Sequence, residues 1–122
     1  MNATTQYKTE YEILQEAHLA GLYAGNTASP TPYQIVNGDN QVIDSLDDGL
    51  CGFAWITIRP ARGKLVAYLK QRKWGSNGWN GGWEIWVSQY GQSYERKYAY
   101  AKAFAWTLQQ HGINAEAGYR LD

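Results

Sequence analysis

The sequence is poor in the residues that build disulfide frameworks, metal sites and membrane spans. Its single cysteine, Cys51, excludes an internal disulfide framework and fits a reducing compartment. Its two histidines, His18 and His111, lie far from each other and from Cys51, so no metal-ligand cluster is visible. No segment approaches the roughly 18 apolar residues that a bilayer span requires. The first twelve residues lack a basic region followed by an apolar one, so we expect no signal peptide. These absences predict a soluble, cytoplasmic protein without metal or cofactor.

The chain is instead rich in tryptophan and tyrosine. Its 122 residues are enough for one domain, and the 44% hydrophobic and 18% charged residues are typical of a folded chain. Aromatic residues make up 15%, with six Trp and ten Tyr against two Phe. Because Trp and Tyr combine a large apolar ring with a polar group, they suit half-buried positions and interfaces as well as cores.

A formal net charge of zero conceals two halves of opposite sign. Residues 1–50 hold one base and seven acids, whereas residues 51–122 hold ten bases and four acids. Six of those bases fall between Arg59 and Lys73 with no acid among them. Such segregation indicates a basic patch for an anionic partner, two mutually attracting halves, or a solvated basic helix that the acidic half partly neutralises.

The first half of the chain predicts a helix, a hairpin and an acidic connector. A helix over 10–24 has Thr9 as its N-cap and Glu12 completing a capping box. Its row of small residues, Ala17, Gly21 and Gly25, favours close approach by another helix. Residues 33–44 predict a hairpin whose turn, at residues 37–38, suits positive φ. The acidic connector that follows has aspartates able to bind a hard cation, although a solvated loop is the favoured interpretation.

The second half predicts alternating strands and helices. Residues 50–59 form a central strand with apolar residues on both faces, and Pro60 opens a helix over 61–73. After a glycine-rich loop at 75–82, residues 83–88 form a strand with Trp86 on the face opposite the core. A helix then runs from an N-cap at Ser93 to residue 112, before a final strand over 114–121. The core residues expected of the 83–88 strand and of this helix are Trp83, Ile85, Val87, Tyr94, Tyr98, Ala101, Phe104, Ala105 and Leu108.

These elements predict one α+β (or small α/β) domain over 1–122. We expect a single mixed sheet of three to five strands, with an N-terminal helix, then β-α-β-α-β order and helices packed on the sheet.

Four segments carry a resemblance to known sequences: CGFAW, GGWEIWVS, QSYERKYAYAKAF and HGINAEAGYRLD. Together they resemble small uncharacterised accessory proteins of tailed bacteriophages, over most of residues 11–122. The resemblance implies an accessory protein in the cytoplasm of a host cell. It transfers no catalytic residue, because the group has no established activity.

The sequence contains no clear set of catalytic residues. Cys51 begins a strand that we expect to be buried, and a core cysteine is favoured over a nucleophile. The glycines at 75–82 lead into a strand, whereas the common phosphate-binding loops lead into a helix. The start of the helix at Ser93 favours an anion only in the general way of all helix N-termini. We therefore expect no catalytic residues.

Binding is the better-supported class of function. Tryptophan, tyrosine and arginine dominate interface hot spots, which favours a protein–protein module whose partner is a host protein, a phage protein or a second copy of the chain. The alternative is single-stranded nucleic acid, held by the 59–73 bases and stacked on the neighbouring indoles. Sugar or small-ligand binding on exposed indoles is a third hypothesis. The residues predicted to bind are Trp74, Trp79, Trp86, Trp106, Arg62, Lys70, Arg72 and Lys73.

Overall fold

A computed structural model describes residues 8–46 and 49–122 of the chain, which form three helices and six strands. The acidic pair Asp47 and Asp48, predicted as part of a connector, lies outside the described residues. The elements in chain order are α1 (Glu10–Thr27), β1 (Tyr33–Val36), β2 (Val42–Leu46), β3 (Gly52–Ile58), α2 (Lys64–Gln71), β4 (Ser76–Asn77), β5 (Trp83–Trp86), α3 (Tyr94–Gln110) and β6 (Ala115–Leu121).

The main sheet has four strands in the order β4-β5-β3-β6, with β1 and β2 forming a separate antiparallel hairpin. The α+β class, the N-terminal helix and the central position of β3 are confirmed. The sheet is antiparallel throughout rather than mixed. The physical reason is that β5 and β6 pair on opposite sides of β3. They run parallel to each other but are not neighbours, because the β5-α3-β6 connection crosses over β3 and places β6 on its other side.

Helix α1 begins where its sequence predicts and packs on α3 through its small residues. The Thr9 hydroxyl accepts from the Glu12 N–H, and the Glu12 carboxylate accepts from the Thr9 N–H, which completes the capping box. A Cβ at Gly21 would lie 2.6 Å from the Tyr100 ring, so only glycine permits this approach of α1 to α3. The helix continues to Thr27, three residues beyond the predicted end.

The core lies between one face of the main sheet and the three helices. Trp83, Ile85 and Val87 are buried as predicted, and the alternate residues of β3 join them. All three helices contribute buried side chains to this same core, so they share one side of the sheet. The other face of the sheet carries no helix from the described part of the chain, and we call it the open face.

Several local predictions are wrong in detail. Helix α2 begins at Lys64 rather than residue 61, because Gly63 at φ 106° lies outside helical geometry. In the hairpin turn the positive φ falls on Asn40, at 62°, and not on residues 37–38. The predicted core tyrosines Tyr94 and Tyr98 of α3 are half-buried.

The two tyrosines lie on the flank of α3, where both rings contact Tyr119 of β6, at centroid distances of 5.3 and 4.6 Å. Lys97 and Tyr100 occupy the buried positions instead. The Lys97 ammonium donates to the Gly52 carbonyl at 3.3 Å, which satisfies one of its donors inside the protein.

Candidate functional site

The open face is built around a cross-strand pair of tryptophans. Trp55 of β3 and Trp86 of β5 are direct register partners, and their rings stack at a centroid distance of 4.8 Å. Phe53 meets the edge of the Trp86 ring at 6.0 Å. Side chains alternate between the two faces of a strand, so the residues that fill the core from β3 and β5 leave these three rings on the opposite side. Trp86 remains 42% exposed.

Charged side chains border the three rings. The Arg120 guanidinium lies 5.1 Å from the centroid of Phe53 and 5.8 Å from that of Trp86. Arg59 forms an ion pair with Glu116 across the β3–β6 ladder. The Glu84 carboxylate accepts a hydrogen bond from the Trp86 indole at 3.1 Å. Two bases and two acids therefore surround an aromatic centre, and the border is electrically balanced.

Trp79 stands at one end of this face and is 94% exposed. It belongs to a tight turn in which the Gly78 N–H donates to the Gly82 carbonyl at 2.9 Å. A Cβ at Gly78 would lie 2.6 Å from the Gly81 carbonyl oxygen, and Gly81 itself has φ 85°, so the turn requires glycine at both positions. Trp79 lines an open cleft of about 450 Å³ whose other walls come from β3, β5 and β6. We call the open face together with Trp79 the aromatic platform.

The structure does not bring the eight predicted binding residues into one surface. Trp79 and Trp86 belong to the aromatic platform. Trp74, predicted to bind, is half-buried: its ring meets Phe104 edge-on at 5.9 Å, and its carbonyl accepts from the Trp83 indole at 3.0 Å. Trp106 is 60% exposed on α3.

The four predicted cations surround α2, on the helical side of the sheet. These are Arg62, Lys70, Arg72 and Lys73, and all are exposed. Within residues 8–46 and 49–122 none of them forms an ion pair, although Lys70 lies over the Trp83 ring and Arg72 over Tyr68. Because α2 packs against the core face, these bases lie on the opposite side of the sheet from Trp86.

A second, smaller groove runs between α1 and α2. It measures about 310 Å³ and is lined mostly by aromatic residues and Leu14, with Gln15, His18 and Arg72 as its other residues. The Nδ1 of His18 lies 2.6 Å from the Tyr100 hydroxyl, and burial raises the pKa of Tyr100, which keeps that hydroxyl protonated. Trp74 also lines this groove, so the structure pairs it with Arg72 rather than with the platform.

The platform residues that sequence reasoning missed are Phe53, Trp55, Arg59, Glu84, Glu116 and Arg120. The signal was present in the alternation of residues 53–57, which puts Phe53 and Trp55 on one face, and in the placement of Trp86 opposite the core. These residues come together on one face only because β3 pairs with β5 and β6, and the spacing of residues along a single strand does not reveal that pairing.

Other reactive side chains are scattered. Cys51, predicted to be buried, is half-buried beside Ser93, where the two residues form an isolated bridge. His111 lies 3.2 Å from the Glu16 carboxylate. In the described ranges, no three His, Cys, Asp or Glu side chains are grouped as a metal site would need. No helix there has the length and apolar character to cross a bilayer.

Over residues 8–46 and 49–122, the fold and the platform define an α+β domain with helices on one side of an antiparallel sheet and an aromatic face without helices on the other. Comparison of the chain with protein-family models, with curated proteins and with solved structures finds no match.

Proposed function

We propose that this chain is a non-enzymatic binding protein whose aromatic platform docks onto another protein. The observation that carries the proposal is the exposure of Trp79 and Trp86 beside Trp55, inside a border of charged side chains. Binding energy at protein interfaces concentrates in a few Trp, Tyr and Arg residues that a polar rim shields from water. The platform has this composition and arrangement.

The charge of the platform favours a protein over nucleic acid. A nucleic-acid surface gains most of its affinity from cations that neutralise phosphates. Here Arg59 is paired with Glu116, and Glu84 lies beside Trp86, so the platform offers little net positive charge. The rings of Trp55 and Trp86 also stack on each other, which leaves less ring surface for a base.

The bacteriophage resemblance suggests the source of the partner. An accessory protein of this kind acts in the host cytoplasm, so we propose a host or phage protein as the partner. Its contact surface should present apolar residues toward Trp79 and a mixed border of charges toward Arg120 and Glu116.

The test is an affinity purification with matched tryptophan variants. Host lysate, with and without phage proteins, is passed over the immobilised wild-type chain, the Trp79→Ala/Trp86→Ala double variant and the Trp106→Ala variant. Trp106 is an exposed indole on the helical side, so its variant controls for nonspecific hydrophobic binding to exposed tryptophans. A specific partner should be kept by wild type and Trp106→Ala and lost by the double variant.

Thermal unfolding of each variant must show that the fold persists. A partner that binds all three proteins equally, or that Trp106→Ala loses as well, contradicts the platform as the docking surface.

The basic stretch around α2 supports a second candidate, single-stranded nucleic-acid binding. Arg59 of this stretch is paired with Glu116, but the bases around α2 itself have no acidic partner among the described residues, and such bases attract phosphates. In this case a labelled oligonucleotide should bind at low salt, lose affinity steeply as salt rises, and be released by Arg72→Glu/Lys73→Glu. Trp79→Ala should leave this binding intact, because Trp79 lies on the other side of the sheet. Failure to bind at low salt ends this candidate.

A further inference from the structure

Strand β6 forms one edge of the main sheet, and half of its backbone groups point away from the protein. The Arg59 N–H bonds to the Asn114 carbonyl at 3.1 Å, and the Asp122 N–H bonds to the Cys51 carbonyl at 3.0 Å. In an antiparallel ladder such pairs alternate with residues whose N–H and C=O face outward. The outward-facing residues of β6 are therefore Ala115, Ala117, Tyr119 and Leu121.

This outward edge is long and nearly unoccupied. The Gln109 side-chain amide bonds to the Ala115 carbonyl at 2.7 Å. No strand of the described chain pairs along the rest of the edge, since β6 has β3 as its single neighbour. An unpaired edge of seven residues is a template for another strand.

The sequence of β6 is complementary to itself about Gly118. When two copies of β6 run antiparallel with Gly118 opposite Gly118, Glu116 of each copy faces Arg120 of the other. Ala117 of each copy then faces Tyr119 of the other and, further out, Ala115 faces Leu121. Small residues meet large ones on the helical side, while opposite charges meet on the open face.

The hydrogen-bond pattern allows this register. Ala117 and Tyr119 both turn their backbone groups outward, so they form a bonded pair across the two copies. Glu116 and Arg120 fall in the non-bonded pair, where Cα atoms approach to roughly 4.5 Å and side chains interact most closely. Both side chains are exposed, and the Glu116 carboxylate has lone pairs beyond those that Arg59 uses.

Neighbouring two-fold registers lack this complementarity. A centre at Glu116 or at Arg120 places like charges opposite each other. A centre at Ala117 places Glu116 opposite Gly118, and a centre at Tyr119 places Arg120 opposite Gly118. The charges of β6 therefore select one two-fold register.

We propose that a second copy of this chain pairs with β6 in that register and joins the two four-stranded sheets into one. Because the two-fold axis passes perpendicular to the sheet at Gly118, both aromatic platforms lie on the same side of the assembly. The inference stands on the β6 edge and does not depend on what the platforms bind.

The experiment measures dimerisation by sedimentation equilibrium over a wide range of protein concentration. Glu116→Arg alone and Arg120→Glu alone each turn two opposite-charge pairs into two like-charge pairs, so each should weaken the dimer roughly tenfold or more. The variant that carries both changes restores opposite pairs in the reversed sense and should regain most of the wild-type affinity. Asp39→Arg, the same change of charge in the exposed turn between β1 and β2, is the matched control and should dimerise as wild type does.

A proline variant tests the backbone edge directly. Ala117→Pro removes an outward N–H and leaves the inward ladder to β3 intact, so the variant should stay folded and become monomeric. Three results would overturn the proposal: a wild-type monomer at every concentration, charge reversals that leave the dimerisation affinity unchanged, or an Ala117→Pro variant that still dimerises. A monomeric wild type would leave the docking function of a single platform standing.

Discussion

Replacing Gly21 with alanine tests the contact that holds α1 against α3. The added Cβ would lie 2.6 Å from Cδ2 and 2.7 Å from Cε2 of Tyr100, which is closer than real Cβ contacts allow. The Tyr100 ring has little freedom to move, because it is 2% exposed, bonded to His18 and in contact with the Phe104 ring at 5.8 Å. The two helices must therefore separate.

Two opposing effects set the magnitude. In the interior of a helix alanine is favoured over glycine by about 1 kcal/mol. Forcing an extra methyl group into a packed core typically costs about 1–3 kcal/mol. Since the backbone of α1 and a buried ring must both yield, we expect the steric cost to prevail. The free energy of unfolding should fall by about 1 kcal/mol, whereas helix propensity alone would raise it.

Urea denaturation of the variant and of a matched control measures the difference. Gly38→Ala is the control, because no atom lies within 4 Å of the Cβ position at Gly38. Its unfolding free energy should stay the same or rise slightly. In a Tyr100→Leu background the cost of Gly21→Ala should shrink, since the ring is gone. A stability gain from Gly21→Ala in the wild-type background would refute the packing argument.

Three further predictions concern the platform and the surface of α1. Gly118→Ala should displace the Trp55 indole, which would lie 2.8 Å from the new Cβ, and should weaken the near-UV circular dichroism of the tryptophan pair; an unchanged spectrum would contradict the contact. Trp79→Ala should leave the unfolding free energy within about 0.5 kcal/mol of wild type, because the side chain is almost fully exposed. Hydrogen bonds from Lys8 and then His111 lower the pKa of Glu16, so the stability they confer should be present at neutral pH and lost as pH falls through 4.5 and below. The free energy of unfolding of Glu16→Gln, measured by urea denaturation at a series of pH values, should therefore fall less steeply with decreasing pH than that of wild type. An equal fall would contradict the ion pairs.

Elements with local signals were predictable from the sequence. The capping box at Thr9 and the N-cap at Ser93 specify helix starts through hydrogen bonds to residues three positions away. The alternation from Trp83 to Val87 likewise predicts the buried side of its strand correctly. Each of these features depends on a few consecutive residues, so one sequence contains the information.

Features that depend on distant pairing were not predictable. The apolar residues on both faces of the strand predicted over 50–59 correctly indicated a central position, but they did not reveal that Trp55 lies on the face without helices from the described residues. Its stacking on Trp86 follows from the antiparallel register of two strands that α2 and a glycine-rich turn separate. In the same way, the bases around α2 are close in sequence to Trp79 and Trp86 but lie on the opposite side of the sheet from them.

The crossover from β5 to β6 over the central strand β3 also has a consequence for folding kinetics. Gly52 pairs with Leu121 and Ile58 with Ala115, so the whole β3–β6 ladder joins residues that are far apart along the chain. Closing such long loops before any pairing energy is gained slows folding, and proteins dominated by distant contacts fold more slowly than helical bundles of similar size. A nascent or clipped polypeptide without β6 would leave one flank of β3 bare. Until β6 is in place, that flank of β3 is an unpaired strand edge, and such edges are templates for aggregation.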